Sequence, residues 1–121
     1  MRKGGVGILV SAYVVVGLLI LLDVITGILK AGYEHNIKST NLRKGLYHKM
    51  SEILAIVLTS LVQYGSQYIN FNLNFPVTAV VISYISIMEI ISIIENICKI
   101  NPDLFKIFQR YLHNDEKGDD E

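Results

Sequence analysis

The sequence predicts an all-α membrane protein with three transmembrane helices and a C-terminal amphipathic interfacial helix. Hydrophobic residues make up 51% of the 121-residue chain, with no Trp. The charges, 11 basic and 11 acidic, are segregated: the seventeen residues from Val6 to Leu22 carry none, and none appears from Ile53 to Met88. Long uncharged apolar stretches in so short a chain read as membrane spans, each near the ~20 residues that a helix needs to cross hydrocarbon.

The first span is expected over about 6–29, the second over about 50–69 and the third over about 77–97. Between the first two lies AGYEHNIKSTNLRKGLYHK, with Gly32 near its start and Ser39 or Thr40 as a helix cap, so the second helix can begin in water near Asn41. The second link, NFNLNFP, is short and uncharged, with Pro76 at the start of the next helix, and makes a hairpin. Arg2 and Lys3 before an apolar run also fit a secretory signal, but the run is too long and no A-x-A-like cleavage site follows Leu22.

Lysine and arginine set the orientation. The first link carries Lys30, Lys38, Arg43, Lys44 and Lys49, and Lys99, Lys106 and Arg110 follow the third span, whereas the hairpin carries none. The first link and the C-terminus are therefore expected in the cytoplasm, and the hairpin and N-terminus outside. Arg2 and Lys3 argue the other way, and a re-entrant first segment would reconcile them.

After the spans, Asn101 can cap a helix and Pro102 can occupy its first position. At about 100 degrees per residue, Leu104, Phe105, Ile107, Phe108, Tyr111 and Leu112 share one arc, while Asp103, Lys106, Gln109 and Arg110 share the other. That is the pattern of a helix over 102–112 lying in the headgroup plane, or packing on a partner protein. Residues 113–121, HNDEKGDDE, are expected to form an acidic polar tail.

Nothing in the sequence points to an enzyme. The three histidines lack partners at metal-ligand spacing, Cys98 is alone, and there is no phosphate-binding glycine loop, nucleophile motif or sustained basic run for nucleic acid. No cofactor is expected. The partners implied by composition are the lipid bilayer and further copies of the chain.

The second span carries a polar stripe. Projected as a helix, Glu52, Thr59, Ser60, Gln63, Ser66, Gln67 and Asn70 fall within roughly 120 degrees, with Ile56 the one apolar residue among them. Lipid offers no hydrogen-bond partners, so this face must meet other helices or water. Either several copies assemble around it, the expectation adopted here, or it joins the three helices of one subunit.

The third span surrounds two carboxylates with isoleucines, in ISIMEIISIIENI. Ser83, Ser86, Glu89, Ser92 and Glu95 recur every third residue and so wind around the helix, beyond the reach of any single neighbour. A charged carboxylate at a helix centre costs roughly 2.5–3.5 kcal/mol, offset in part by isoleucines at about −0.3 to −0.6 kcal/mol each. Partners are available: Asp23, Glu52, Glu89 and Glu95 fall in the same leaflet as Lys30, Arg43, Lys44, Lys49 and Lys99. Glu89, nearest the middle of its span, is therefore poised between burial, which opposes its charge, and a cation, which favours it. Gly7 with Ser11, and Gly27 with Ala31, have the four-residue spacing that lets helices approach closely.

The run DVITGILKA, then the pattern of Ser39, Arg43, Gly45 and Lys49 in KSTNLRKGLYHK, then MEIISIIEN, resembles the phage holin family of toxin-secretion and lysis proteins, which includes helpers of clostridial toxin export. The resemblance runs over about 6–112, and by position Asp23, Gly27, Ser39, Arg43, Gly45, Lys49, Glu89, Glu95 and Asn96 carry it. It implies a small protein of the bacterial cytoplasmic membrane that oligomerises into lesions releasing an endolysin or a large toxin. One departure from some holins is that no Met lies between Met1 and Met50 from which a slightly shorter inhibitor could start. The alternatives are a small proton-coupled multidrug-type transporter, which also uses a membrane glutamate, and a membrane adaptor or scaffold acting through its last helix.

Overall fold

A computed structural model describes the backbone of residues 2–70 and 75–120, and the side chains of 10–70 and 75–111. The described residues form four helices and no strand: α1 (Arg2–Tyr33), α2 (Ser39–Gly65), α3 (Val77–Ile100) and α4 (Pro102–Asp120). The first three are long and apolar enough to cross a membrane, the candidate spans being Val10–Tyr33, Ser39–Gly65 and Val77–Ile100. Most of their large apolar side chains, such as Leu18, Leu58 and Ile87, are exposed on the single chain. In water that surface would be untenable, and in lipid it is the expected exterior.

Helix α3 is central and packs on both α1 and α2. Tyr13 meets Ser60 and Asp23 meets Lys49, so α1 and α2 run antiparallel. The apolar core joins Val16 and Ile20 of α1, Ile56 of α2, and Ile82 and Ile85 of α3. Ile56, the apolar exception within the polar arc, is the buried residue of α2. The polar face of α2 therefore turns inward, with Ile56 as its point of apolar contact.

Helix ends differ from the expected ones for local reasons. Helix α1 runs through Gly32 and stops at a left-handed residue, His35, at φ 54°. Asn36 N–H donates to the Ala31 carbonyl at 2.9 Å and His35 N–H to that of Gly32 at 3.2 Å, the paired bonds of a Schellman ending. Histidine tolerates this region better than most non-glycine residues. Helix α2 begins at Ser39, eleven residues before the expected span, and its N-cap is Lys38 with no side-chain cap bond, so neither Ser39 nor Thr40 caps it. It ends at Gly65, and Ser66 to Ile69 form turns, so Ser66, Gln67 and Asn70 lie beyond the helix onto which they were projected.

Pro76 is the N-cap of α3 rather than its first residue, and its carbonyl accepts from Val80 N–H at 3.1 Å. Hairpin residues 71–74 lie outside the described residues. Pro102 opens α4 as expected, but that helix continues to Asp120, through the segment expected as an irregular tail. Once a helix is nucleated each further residue adds a hydrogen bond without a new nucleus, so even a polar segment can extend it. Phe105, Ile107, Phe108 and Tyr111 of α4 are exposed, uncovered by the rest of the chain.

Candidate functional site

The three spans meet at one ammonium group. Lys49 Nζ donates to both carboxylate oxygens of Glu89, at 2.7 and 2.6 Å, and to Asp23 Oδ2. Asp23 belongs to α1, Lys49 to α2 and Glu89 to α3, so a single side chain ties the bundle together. Glu89 is 2% exposed and Asp23 7%. Charge-assisted bonds of this kind are about twice as strong as neutral ones, and removing one partner leaves an uncompensated buried charge.

Asn96 and Thr26 hold Asp23 in place. Asn96 Nδ2 donates to Asp23 Oδ1 at 3.0 Å and to Thr26 Oγ1 at 3.1 Å, and the Thr26 hydroxyl donates to the Asp23 carbonyl at 3.1 Å. Asp23, Thr26 and Gly27 face α3 from one side of α1. Gly27 faces the Asn96 amide, and a Cβ built there would stand 3.7 Å from Asn96 Nδ2, in ordinary van der Waals contact.

Glu52 lies one turn further along α2 than Lys49, away from the link. Its Oε1 lies 3.0 Å from Nδ1 of the exposed His48, one turn away. Its Oε2 is buried without a partner among the described residues.

The half of the bundle toward the α2–α3 hairpin is joined by neutral bonds. The Tyr13 and Ser60 hydroxyls lie 2.6 Å apart, linking α1 to α2. Thr78 N–H donates to Gln63 Oε1 at 3.0 Å, and the Thr78 hydroxyl donates to the Thr59 carbonyl at 3.0 Å. Thr78 N–H is one of the amides at a helix start that have no partner within the helix. Gln63 supplies the cap that Pro76 cannot.

Of the positions carrying the resemblance, the fold brings Asp23, Gly27, Lys49, Glu89 and Asn96 together, while Ser39, Arg43, Gly45 and Glu95 are exposed. Of the polar stripe, Glu52, Thr59, Ser60 and Gln63 are partly buried within the subunit, Ser66 bonds to the Gln63 carbonyl, and Gln67 and Asn70 are exposed. Much of the stripe is therefore satisfied inside one chain. Tyr13, Thr26 and Thr78 were not singled out from the sequence. The first two lie in an apolar run and Thr78 just past a proline, with no local pattern to mark them.

Three helices long and apolar enough to cross a membrane, closed around a buried ionic node, define the class: an all-helical membrane protein. The family model of the bacteriophage holin family matches residues 3–114. The chain belongs to that family, and its function is of the holin type. The match reaches the family as a whole and not the toxin-exporting branch within it. No curated protein and no solved structure matches the chain.

Proposed function

We propose that this holin accumulates in the bacterial cytoplasmic membrane as a closed three-helix subunit and then assembles with other copies into lesions that release an endolysin or a large protein toxin. The observation that carries the reading is Lys49 bridging Asp23 and Glu89. With the three helices together Lys49 answers both Asp23 and Glu89 within the protein. With the helices apart, an ammonium and three carboxyls are left that hydrocarbon cannot solvate. The open form must therefore be wet, and the two states are separated by the breaking of the node rather than joined by gradual loosening.

The C-terminus and the first link are assigned to the cytoplasm by their Lys and Arg content, and α4 lies along that face with its uncovered apolar arc in the headgroup layer. In this orientation the node sits in the cytoplasmic half of the membrane, where collapse of the transmembrane potential changes the energy of its charges.

The test is induced expression in a bacterium with and without a cytoplasmic muralytic enzyme. Growth should stop abruptly in both strains, and the culture should clear only where the hydrolase is present. A proton-coupled transporter would do neither and would change resistance to lipophilic cations. An adaptor would leave membrane permeability unaltered.

A further inference from the structure

Between the C-terminal half of α1 and the N-terminal half of α2 runs a groove of about 470 Å³, closed at its deep end by Asp23 and Lys49 and open at the α1–α2 link. Its α2 wall extends from Lys49 to Lys38, about 16 Å at the rise of an α-helix. The mouth presents Lys30, Lys38, Asn36 and Asn41 against a single acid, Glu34. Below it the walls are apolar, with Val24 and Ile28 on α1 facing Leu42 and Leu46 on α2. Charge at the level of the headgroups and hydrocarbon beneath match the two parts of a membrane lipid.

Two further features point to an anionic occupant. Helix α2 starts at this mouth without a side-chain cap and without an acidic residue in its first turn, so its first amides and the positive end of its dipole have no anion from the chain. Gly45 lines the groove, and a Cβ built there would meet nothing within 4 Å. Its φ is not positive, so the backbone does not require glycine. A glycine inside a helix is unfavourable relative to alanine, and no neighbour in this chain makes use of the missing side chain.

We propose that the groove binds one anionic phospholipid from the leaflet on the side of the link. The phosphodiester lies against Lys30, Lys38 and the first turn of α2, and one acyl chain runs between Val24 and Ile28 on one side and Leu42 and Leu46 on the other, over the open face of Gly45. A zwitterionic lipid brings a second cation to a mouth that is already basic and fits less well.

The full-length protein, purified in a neutral detergent, is mixed with phosphatidylglycerol or with phosphatidylcholine of the same acyl chains, and retained lipid is counted by native mass spectrometry. Phosphatidylglycerol should be kept in preference, at one per subunit. Lys30→Gln with Lys38→Gln should lower its retention by about tenfold or more. Gly45→Phe, which fills the groove, should abolish retention while the helical circular-dichroism signal is unchanged. Equal retention of the two lipids, or full retention by Gly45→Phe, would overturn the proposal. So would competition by glycerol phosphate alone at the potency of the intact lipid, which would make the site one for free phosphate esters. A change in oligomeric state with Gly45→Phe, without change in lipid, would assign the groove to a second copy instead. Retention is read on purified protein with no lysis step, so it stands or fails independently of the lesion-forming reading.

Discussion

Lys49 and Glu89, forty residues apart in sequence, form the tightest tie between α2 and α3: one ammonium faces both oxygens of one carboxylate at 2.7 and 2.6 Å, with the carboxylate 2% exposed. A single cation also holds Asp23 of α1, so the closure of the bundle depends on one side chain.

Replacing that side chain should be severe. Lys49→Met leaves Asp23, Glu52 and Glu89 together without a cation and is expected to cost about 3–5 kcal/mol, the usual consequence of breaking a buried ionic cluster from one side. Unfolding followed by SDS titration of the purified protein measures it. The triple variant Asp23→Asn, Lys49→Met, Glu89→Gln removes all three charges and should recover most of the loss. If the triple variant is no more stable than Lys49→Met, the node is not the electrostatic tie described here.

Glu89→Gln separates hydrogen bonding from ionisation. Its amide oxygen can still accept from Lys49, so the variant should insert and accumulate normally. It cannot ionise, and the wet open form should be reached late or not at all. Lysis timing at matched expression is the measurement. Wild-type timing would reduce Glu89 to a pairing residue of the closed subunit.

The two glutamines of the polar stripe should behave differently. Gln63 caps α3 through Thr78 N–H, so Gln63→Leu should destabilise the subunit by about 0.5–2 kcal/mol, as loss of a helix cap does. Gln67 is exposed on the single chain, so Gln67→Leu should leave stability unchanged and delay lysis if this end of the stripe joins copies together. SDS titration and lysis timing on each single variant distinguish the two roles. Equal destabilisation by both would show that Gln67 also belongs to the subunit interior.

Orientation can be read by labelling. In a Cys98→Ala background, Phe75→Cys near the hairpin should react in intact cells with a membrane-impermeant thiol reagent, and Gln109→Cys on the polar arc of α4 should react only after the cells are opened. The reverse pattern before any lesion forms would invert the topology inferred from Lys and Arg.

Three spans and their order were legible from residue type alone, because hydrocarbon sorts side chains by polarity and a helix needs a set length to cross it. The winding of Glu89 and Glu95 around α3 was also legible, since it follows from helical repeat: Glu89 is buried and Glu95 exposed. The helix ends were less so. His35 in a left-handed conformation and Gln63 capping α3 from another helix depend on neighbours that no local pattern announces.

Which cation answers Glu89 was decided only by the tertiary structure. Lys30, Arg43, Lys44, Lys49 and Lys99 all lay in the right leaflet, and the choice of Lys49 came from the register in which antiparallel α2 meets α1 and α3. The polar stripe had the same ambiguity, since a helical projection gives directions around an axis but not what stands opposite. Packing Ile56 against Val16, Ile20, Ile82 and Ile85 turns Glu52, Thr59, Ser60 and Gln63 inward and leaves Gln67 and Asn70 exposed. Hydropathy acts on each residue separately and so can be read along a chain, whereas pairing depends on two residues at once and exists only when helices are placed side by side.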